Sequence, residues 1–409
     1  MKKGTESRPH IGIFGRRNNG KSSIINRLSG QEIAIVSDFA GTTTDPVKKN
    51  MEIGGIGPVI LIDTAGIDDE GELGEKRIAK SLAVIPTIDL ALLIITSNSF
   101  GEFEENLILN FQKNDVPFIV IHNKSDLVKV SSELKSRLES EFNTKVLDFS
   151  CINRSDHSIL IQQIRHSIPE SAYKSTSMLG DLISYGDIVL LITPIDDEAP
   201  EGRLILPQVQ TIRDVLDNDG ITIVVKEREA EQALKQMIRP PKLVVTDSQV
   251  FLKADAMIPE NIMLTSFSIL LARQRGDFSN YLKGTPQIAK LKDGDRILLL
   301  ESCTHHVSCD DIGRIKIPRW LTQYTGKQLH YDVVSGLSQL NRDIHDYALL
   351  IQCGGCVITR KQIINRLKPA VDAGIPVTNY GMAIAWAHGI YQRAVQPFTK
   401  MEINNEEYL

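Results

Sequence analysis

Eight residues, Gly15-Arg16-Arg17-Asn18-Asn19-Gly20-Lys21-Ser22, have the spacing of a loop that holds phosphate. Two glycines let the backbone curl until its N–H groups face the β- and γ-phosphates of a nucleotide. Lys21 reaches the same oxygens, and the Ser22 hydroxyl can ligate Mg²⁺. Such a loop joins a buried strand to a helix N-terminus. The apolar run 10–14 supplies the strand, and helical periodicity begins at Ser23. Gly15, Asn18, Asn19, Gly20, Lys21, Ser22 and Ser23 are therefore the candidate phosphate-binding set.

Downstream motifs complete a nucleotide site. Asp63-Thr64-Ala65-Gly66 follows the apolar run 59–62. An aspartate there can hold Mg²⁺, and the Gly66 amide can approach the γ-phosphate because no side chain intervenes. Between the two motifs lies Gly41-Thr42-Thr43-Thr44-Asp45-Pro46, a polar stretch long enough to order over Mg²⁺ and γ-phosphate and to be released after hydrolysis. The Gly-x-Thr-x-Asp pattern gives the metal-facing role to Thr43, with Thr42 and Thr44 as the adjacent alternatives. Lys21, Ser22, Thr43, Asp63 and Gly66 are thus the expected catalytic group, with Ser22, Thr43 and Asp63 on Mg²⁺.

Asn123-Lys124-Ser125-Asp126 has the spacing of a guanine reader. A carboxylate such as Asp126 accepts two hydrogen bonds from guanine N1–H and its exocyclic amine, which adenine cannot supply. The ligand expected is GTP or GDP, held by Asn123, Lys124 and Asp126. Ser150-Cys151 falls where a short Ser-Ala motif supports the base; Cys151 replaces the Ala and reads as a packed small residue.

The elements that must position these residues are legible. Apolar runs at 10–14, 59–62, 90–96, 118–121 and 145–149 alternate with helical patterns, the rhythm of a mostly parallel, doubly wound sheet. The polar motifs fall at the carboxyl ends of these strands, where such sheets bind ligands. A Ser/Thr-rich stretch, 171–178, reads as a linker after this 1–170 domain. Strands are then expected at 187–193, 221–225, 242–246 and 261–267, and helices at 209–216, 229–238 and 269–282. The fold class is α/β: a P-loop domain followed by two smaller α/β domains. The first of them, 179–270, carries no chemistry of its own and is expected to serve self-association; a spacer is the alternative.

At 409 residues the chain exceeds one core, and 42% apolar with 24% charged residues describes an ordinary globular protein. No run of about 18 apolar residues or signal pattern occurs, so no membrane role is expected and the cytoplasm is the expected location. The net charge of −5 and the lack of a dense Lys/Arg stripe beyond residue 170 argue against nucleic acid as a partner. Five cysteines argue against a disulfide framework and leave metal or redox chemistry open.

Three of those cysteines follow apolar runs in the 271–409 domain. The run 296–300 delivers Cys303, His305 and His306, and the run 347–351 delivers Gln352-Cys353-Gly354-Gly355-Cys356. In a parallel sheet both ends open on one edge, so Cys303 can meet Cys353 and Cys356. Three thiolates with one labile position suit an iron–sulfur cluster. Adding Cys309 would give a structural zinc site with unusual spacing, and a thioredoxin-type pair is a third option.

The nucleotide motifs resemble the translation-factor-related GTPases, in the branch of the tRNA-modifying and ribosome-assembly G proteins, over residues 1 to about 170. Position 67 is Ile, where Ras-type members carry a water-orienting Gln. The resemblance implies that Asn18 ligates K⁺, which stands in for an arginine finger. Over the full length, the chain resembles the FeFe-hydrogenase maturation GTPase family (HydF). The shared pattern is Cys303-x-His305, 46 further residues, then Gln352-Cys353-x-x-Cys356, together with the phrase Pro200-Glu201-Gly202-Arg203-Leu204-Ile205-Leu206-Pro207-Gln208. That resemblance implies a GTPase domain, a dimerisation domain and a 4Fe-4S domain with Cys303, Cys353 and Cys356 as ligands. It also implies a homodimer or higher homo-oligomer. The scaffold would receive a di-iron precursor from two radical-SAM enzymes and deliver it to FeFe-hydrogenase apoprotein. Gln352 stands where many relatives have His, leaving His305, water or a partner chain's residue as the fourth ligand. The competing reading is an RNA- or ribosome-associated switch GTPase with structural zinc.

Overall fold

The computed structural model describes residues 8–29, 46–66, 71–173, 176–194, 204–302, 311–338, 340 and 342–406, which form two compact units, Met1–Ser175 and Thr176–Leu409. The first unit is built on one sheet of β1 (His10–Gly15), β2 (Val47–Ile53), β3 (Gly57–Asp63), β4 (Leu90–Thr96), β5 (Phe118–Asn123) and β6 (Val146–Asp148), in the order β2-β3-β1-β4-β5-β6. The pairings β3-β1-β4-β5-β6 are parallel. Helices cover both faces, which is why these strands are apolar throughout. Ile11 and Ile13 pack with Ile24, Leu28, Leu160 and Ile164 on one side. Phe14 packs with Leu107, Ile108, Phe111 and Leu138 on the other.

β2 is the strand of this sheet that the apolar-run reading does not find. It pairs antiparallel with β3 at the sheet edge, and only Met51 and Ile53 are buried along it. With most of the strand facing water, its sequence Val-Lys-Lys-Asn-Met-Glu-Ile carries no apolar run.

The second unit holds two four-stranded parallel sheets. β7 (Ile188–Ile192), β8 (Ile221–Val225), β9 (Leu243–Thr246) and β10 (Met263–Ser266) are ordered β10-β9-β7-β8. β11 (Arg296–Leu300), β12 (His330–Val334), β13 (Leu349–Gln352) and β14 (Val377–Asn379) are ordered β12-β11-β13-β14. The sheets share one apolar core, in which Ile269 and Leu270 join Leu298, Leu350 and Val377. The single helix expected at 269–282 is two helices, Phe267–Arg275 and Phe278–Gly284. A Cβ at Gly276 would lie 2.3 Å from the Tyr281 ring. Asp277 Oδ1 accepts from Asn280 N at 3.2 Å and starts the second helix.

In the last sheet the connection from β11 runs to β12 on one side, while β13 lies on the other. The crevice between β11 and β13 at their carboxyl ends is a topological switch point, the usual place for a ligand in an open parallel sheet.

Candidate functional site

β1 ends at Gly15 and the helix Lys21–Ser29 begins six residues on, so the phosphate loop spans strand and helix as its chemistry requires. Gly15 has φ +146°, and a Cβ there would lie 2.4 Å from Ile94 O; Gly20 has φ +88°, and a Cβ would meet Asn123 Nδ2 at 2.3 Å. Asn18 is also left-handed, at φ 60°. Lys21 Nζ lies over the loop, donating to Gly15 O at 2.8 Å and Arg16 O at 2.9 Å.

Ser22 and Asp63, the expected magnesium pair, meet: Ser22 Oγ donates to Asp63 Oδ2 at 3.2 Å. Asp63 Oδ1 is buried without a partner. Burial raises the Asp63 carboxyl above its ordinary value, against the opposing pull of the Ser22 hydrogen bond and Lys21. A desolvated carboxylate with one orphaned oxygen beside a hydroxyl fits a hard divalent cation. Gly66 is buried just beyond β3. Thr64 Oγ1 ties this turn to β1 through Ile13 O at 2.6 Å. Thr43, with the whole stretch 41–45, lies outside the described residues.

The guanine motif braces the phosphate loop. Asn123 is buried and donates through Nδ2 to Asn19 O at 2.8 Å; Lys124 Nζ donates to Asn18 O at 2.9 Å. Ser150 Oγ donates to Asp126 Oδ1 at 2.5 Å, which fixes the carboxylate expected to read guanine. Cys151 is half-buried with Sγ 3.9 Å from Asn123 Oδ1; burial raises its thiol pKa. It packs against the apolar core that holds Ile121, Phe149 and Leu160.

Three supports have no signal in the motifs. Asn19 Nδ2 donates to Ile94 O at 2.8 Å while Thr96 Oγ1 donates to Asn19 Oδ1 at 3.1 Å, pinning the loop to the end of β4. Buried His122 accepts at Nε2 from Asn98 N (3.2 Å), so its Nδ1 carries the proton shared with Asp148 Oδ1 at 2.9 Å, just before Asn123. Arg16 makes a bidentate pair with fully buried Glu104, at 2.7 and 2.8 Å. Arg16 is thereby committed to holding the loop and is no free cation for the transition state.

At the switch point of the last sheet lies the described half of the cysteine site. Ser302, the residue before Cys303, donates its backbone N–H to Cys353 Sγ at 3.1 Å, and its Oγ lies 2.9 Å from the same sulfur. Arg275 Nη1 donates to Gly355 O at 2.9 Å, fixing the turn between Cys353 and Cys356, where Gly355 has φ +70°. Glu301 accepts both arms of Arg314 at 2.8 and 2.7 Å, and Arg366 Nη1 donates to Glu301 O at 2.9 Å. Burial depresses the Arg366 guanidinium. Cys303, His305, His306 and Cys309 lie outside the described residues. Among the described residues no group of three or more Cys, His, Asp or Glu converges on one point. Two thiols on one glycine turn, one of them receiving an N–H from the segment leading to Cys303, are donor chemistry that fits an iron–sulfur cluster.

Strand, loop, helix, magnesium carboxylate and guanine reader together define a P-loop GTPase. Family comparison extends this: the 50S ribosome-binding GTPase model matches residues 10–124, the hydrogen maturase F dimerization domain 178–276 and its tetramerization domain 279–397. The chain belongs to the hydrogen maturase F (HydF) family. Its G domain is 40% identical over 170 residues to the tRNA modification GTPase MnmE of Nitrosomonas europaea, covering 41% of this chain and 36% of that one. The MnmE of Lachnoclostridium phytofermentans is 36% identical over 172 residues, with coverage of 42% and 36%. The chain spans little more than a third of these relatives. Among solved structures, Aquifex aeolicus Era bound to GDP and AlF4⁻ is 19% identical, covering 56% of this chain and 98% of its own, with TM-score 0.35. The FeoB G domain of T. maritima is 21% identical, with coverage of 39% and 98% and TM-score 0.31. Among the described residues no helix is long and apolar enough to cross a membrane.

Proposed function

We propose that this chain is a cytoplasmic, homo-oligomeric GTPase scaffold. It would bind a 4Fe-4S cluster and take part in assembling the di-iron subcluster and delivering it to FeFe-hydrogenase apoprotein, together with two radical-SAM enzymes. The observation that carries this reading is the joint presence of both hydrogen maturase F domains behind a GTPase domain. The two domains named for dimerisation and tetramerisation support self-association.

In the G domain, Lys21 and the loop amides hold the β- and γ-phosphates, Ser22, Thr43 and Asp63 hold Mg²⁺, and the Gly66 amide meets the γ-phosphate. Bound Mg²⁺ neutralises charge building on the phosphate oxygens. Asp126, held by Ser150, selects guanine. Arg16 is engaged by Glu104 and residue 67 is Ile, so intrinsic turnover is slow and K⁺ at Asn18 is the proposed accelerant. Hydrolysis then acts as a switch between nucleotide states. In the second unit Cys303, Cys353 and Cys356 hold the cluster; the bound cluster supplies an iron able to exchange a ligand.

The test is anaerobic reconstitution with iron and sulfide, followed by incubation with apo-hydrogenase and the two radical-SAM enzymes. A visible charge-transfer band and hydrogen evolution, both lost in Cys353→Ser, are expected. A chain that takes up zinc, no cluster, and binds RNA with strong salt dependence instead sinks the proposal.

A further inference from the structure

Resting on the cluster reading above, we propose that Gln352 is not an iron ligand. It is a positioning residue that directs hydrogen-bond donors onto the Cys353 sulfur and so raises the reduction potential of the cluster held there.

Gln352 is the last residue of β13, paired in register with Leu300 and Asn379, and is only 1% exposed. Its Nε2 lies 3.0 Å from Cys353 O, 3.1 Å from Ser302 Oγ and 3.7 Å from Cys353 Sγ. A peptide carbonyl can only accept, so the amide atom facing Cys353 O is the nitrogen. The orientation follows: Nε2, a donor with no lone pair to offer a metal, is the amide atom on the sulfur side, while Oε1 is buried with no hydrogen-bond partner.

The same contact sets the Ser302 hydroxyl. As a thiol, Cys353 donates to Ser302 Oγ across 2.9 Å. Once the sulfur binds iron it has no proton to give. Nε2 of Gln352 occupies a lone pair of Ser302 Oγ, which leaves the hydroxyl proton to turn toward the sulfur. The Ser302 amide already points there at 3.1 Å. Cys353 would thus receive two donors from Ser302 and a weaker one from Gln352. Hydrogen bonds to cluster sulfur stabilise the more negative, reduced state.

The experiment uses the full chain, reconstituted anaerobically as wild type, Gln352→Met, Gln352→Glu and Ser302→Ala. Iron content and an electron paramagnetic resonance titration are the readouts. Gln352→Met should keep its full iron complement while its one-electron equilibrium shifts about tenfold toward the oxidised form, or ~59 mV to lower potential. Gln352→Glu should move further the same way, because a carboxylate replaces the donor. Ser302→Ala should also fall, and combined with Gln352→Met it should fall by less than the sum, since Gln352 acts partly through Ser302. A formed cluster with unchanged potential in Gln352→Met and Gln352→Glu overturns the proposal. So does loss of one iron in Gln352→Met that Gln352→Glu restores, which would make position 352 a ligand. If Gln352→Met does not fold, the isosteric Gln352→Glu decides on the same readouts. Wild-type protein that forms no cluster defeats the underlying reading instead.

Discussion

Ser22 Oγ meets Asp63 Oδ2 at 3.2 Å, joining the start of the phosphate-loop helix to the carboxyl end of β3 across 41 positions of chain. With Asp63 Oδ1 buried and unpartnered, the pair offers oxygen ligands of the kind a hard divalent cation takes. Asp63→Asn should therefore cut Mg²⁺-dependent GTP hydrolysis by on the order of a hundredfold. The pH dependence has a definite sign. Because burial raises the folded pKa above 3.8, the stability from this group is complete below that value and is lost as pH rises through the raised one. Mg²⁺ displaces the retained proton, so its stabilisation of the fold should grow over the same interval. Thermal unfolding with and without Mg²⁺ across the acid range checks this; Asp63→Asn should flatten the curve.

Ser150 holds Asp126 by a 2.5 Å hydrogen bond. Removing a hydrogen bond to a carboxylate costs about 1.5–3 kcal/mol, so Ser150→Ala should weaken GDP binding by roughly ten- to a hundredfold. Affinity for ADP should not change, because the role proposed for Asp126 runs only through groups that adenine lacks. Fluorescent-nucleotide titration separates the two; equal losses for both would place Ser150 in general loop stability instead.

Arg16 is 28% exposed and Glu104 fully buried, and the two side chains are locked together. Arg16→Ala strands the carboxylate and should cost about 3 kcal/mol in chemical denaturation. The double change Arg16→Met with Glu104→Leu should recover much of this. It should not recover all, since Glu104 Oε2 also accepts from Gly101 N at 3.0 Å. Full additivity of the single changes would contradict the pairing.

The division between what was legible and what was not follows from sequence distance. β1, β4, β5, β7 and β11 are buried on both faces, so their apolar runs announce them. β2, β12 and β14 do not announce themselves, because the first two bury few of their residues and the third is three residues long. The site splits likewise. Lys21, Ser22, Asp63, Asn123 and Asp126 are the residues proposed to meet ligand atoms, fall at fixed spacings and are readable. Their supports are not: Arg16 and Glu104 are 88 positions apart, Thr96 and Asn19 77, His122 and Asp148 26. Only the fold makes such pairs neighbours. Gln352 was visible as a departure from a pattern, but its orientation needed the Ser302 and Cys353 atoms around it.

His10 opens β1 with its ring buried, and burial, reinforced by Lys48, lowers its pKa to about 4. It is therefore neutral at pH 7, and its 4.0 Å approach to Asp89 is no ion pair there; Nδ1 lies 3.0 Å from Arg8 O instead. Since the folded pKa is below the unfolded 6.5, the contribution is full above pH 6.5 and fades as pH falls toward about 4. The loss amounts to about 3 kcal/mol by the acid end. In urea unfolding from pH 7 to 4, His10→Gln should lose markedly less stability than wild type.

Gly355 supports the cysteine turn by conformation and by space. Its φ is +70°, and a Cβ there would fall 2.3 Å from Ile363 Cδ1 on the helix Arg360–Asp372. Alanine must strain the backbone and displace a buried methyl, at a combined cost of about 2–3 kcal/mol. The relief available is to open the turn, which would pull Gly355 O from Arg275 and move Cys356 away from Cys353. Gly355→Ala should then load less iron on reconstitution while binding GDP normally, since nucleotide is held in the first unit. Gly354 is the control: a Cβ there meets only Leu271 Cδ2, at 3.1 Å, a flexible tip that can yield. Gly354→Ala should keep most of its iron. Equal iron loss in both variants would show that the turn tolerates no added carbon at all, and that the left-handed backbone at 355 is not what the site depends on.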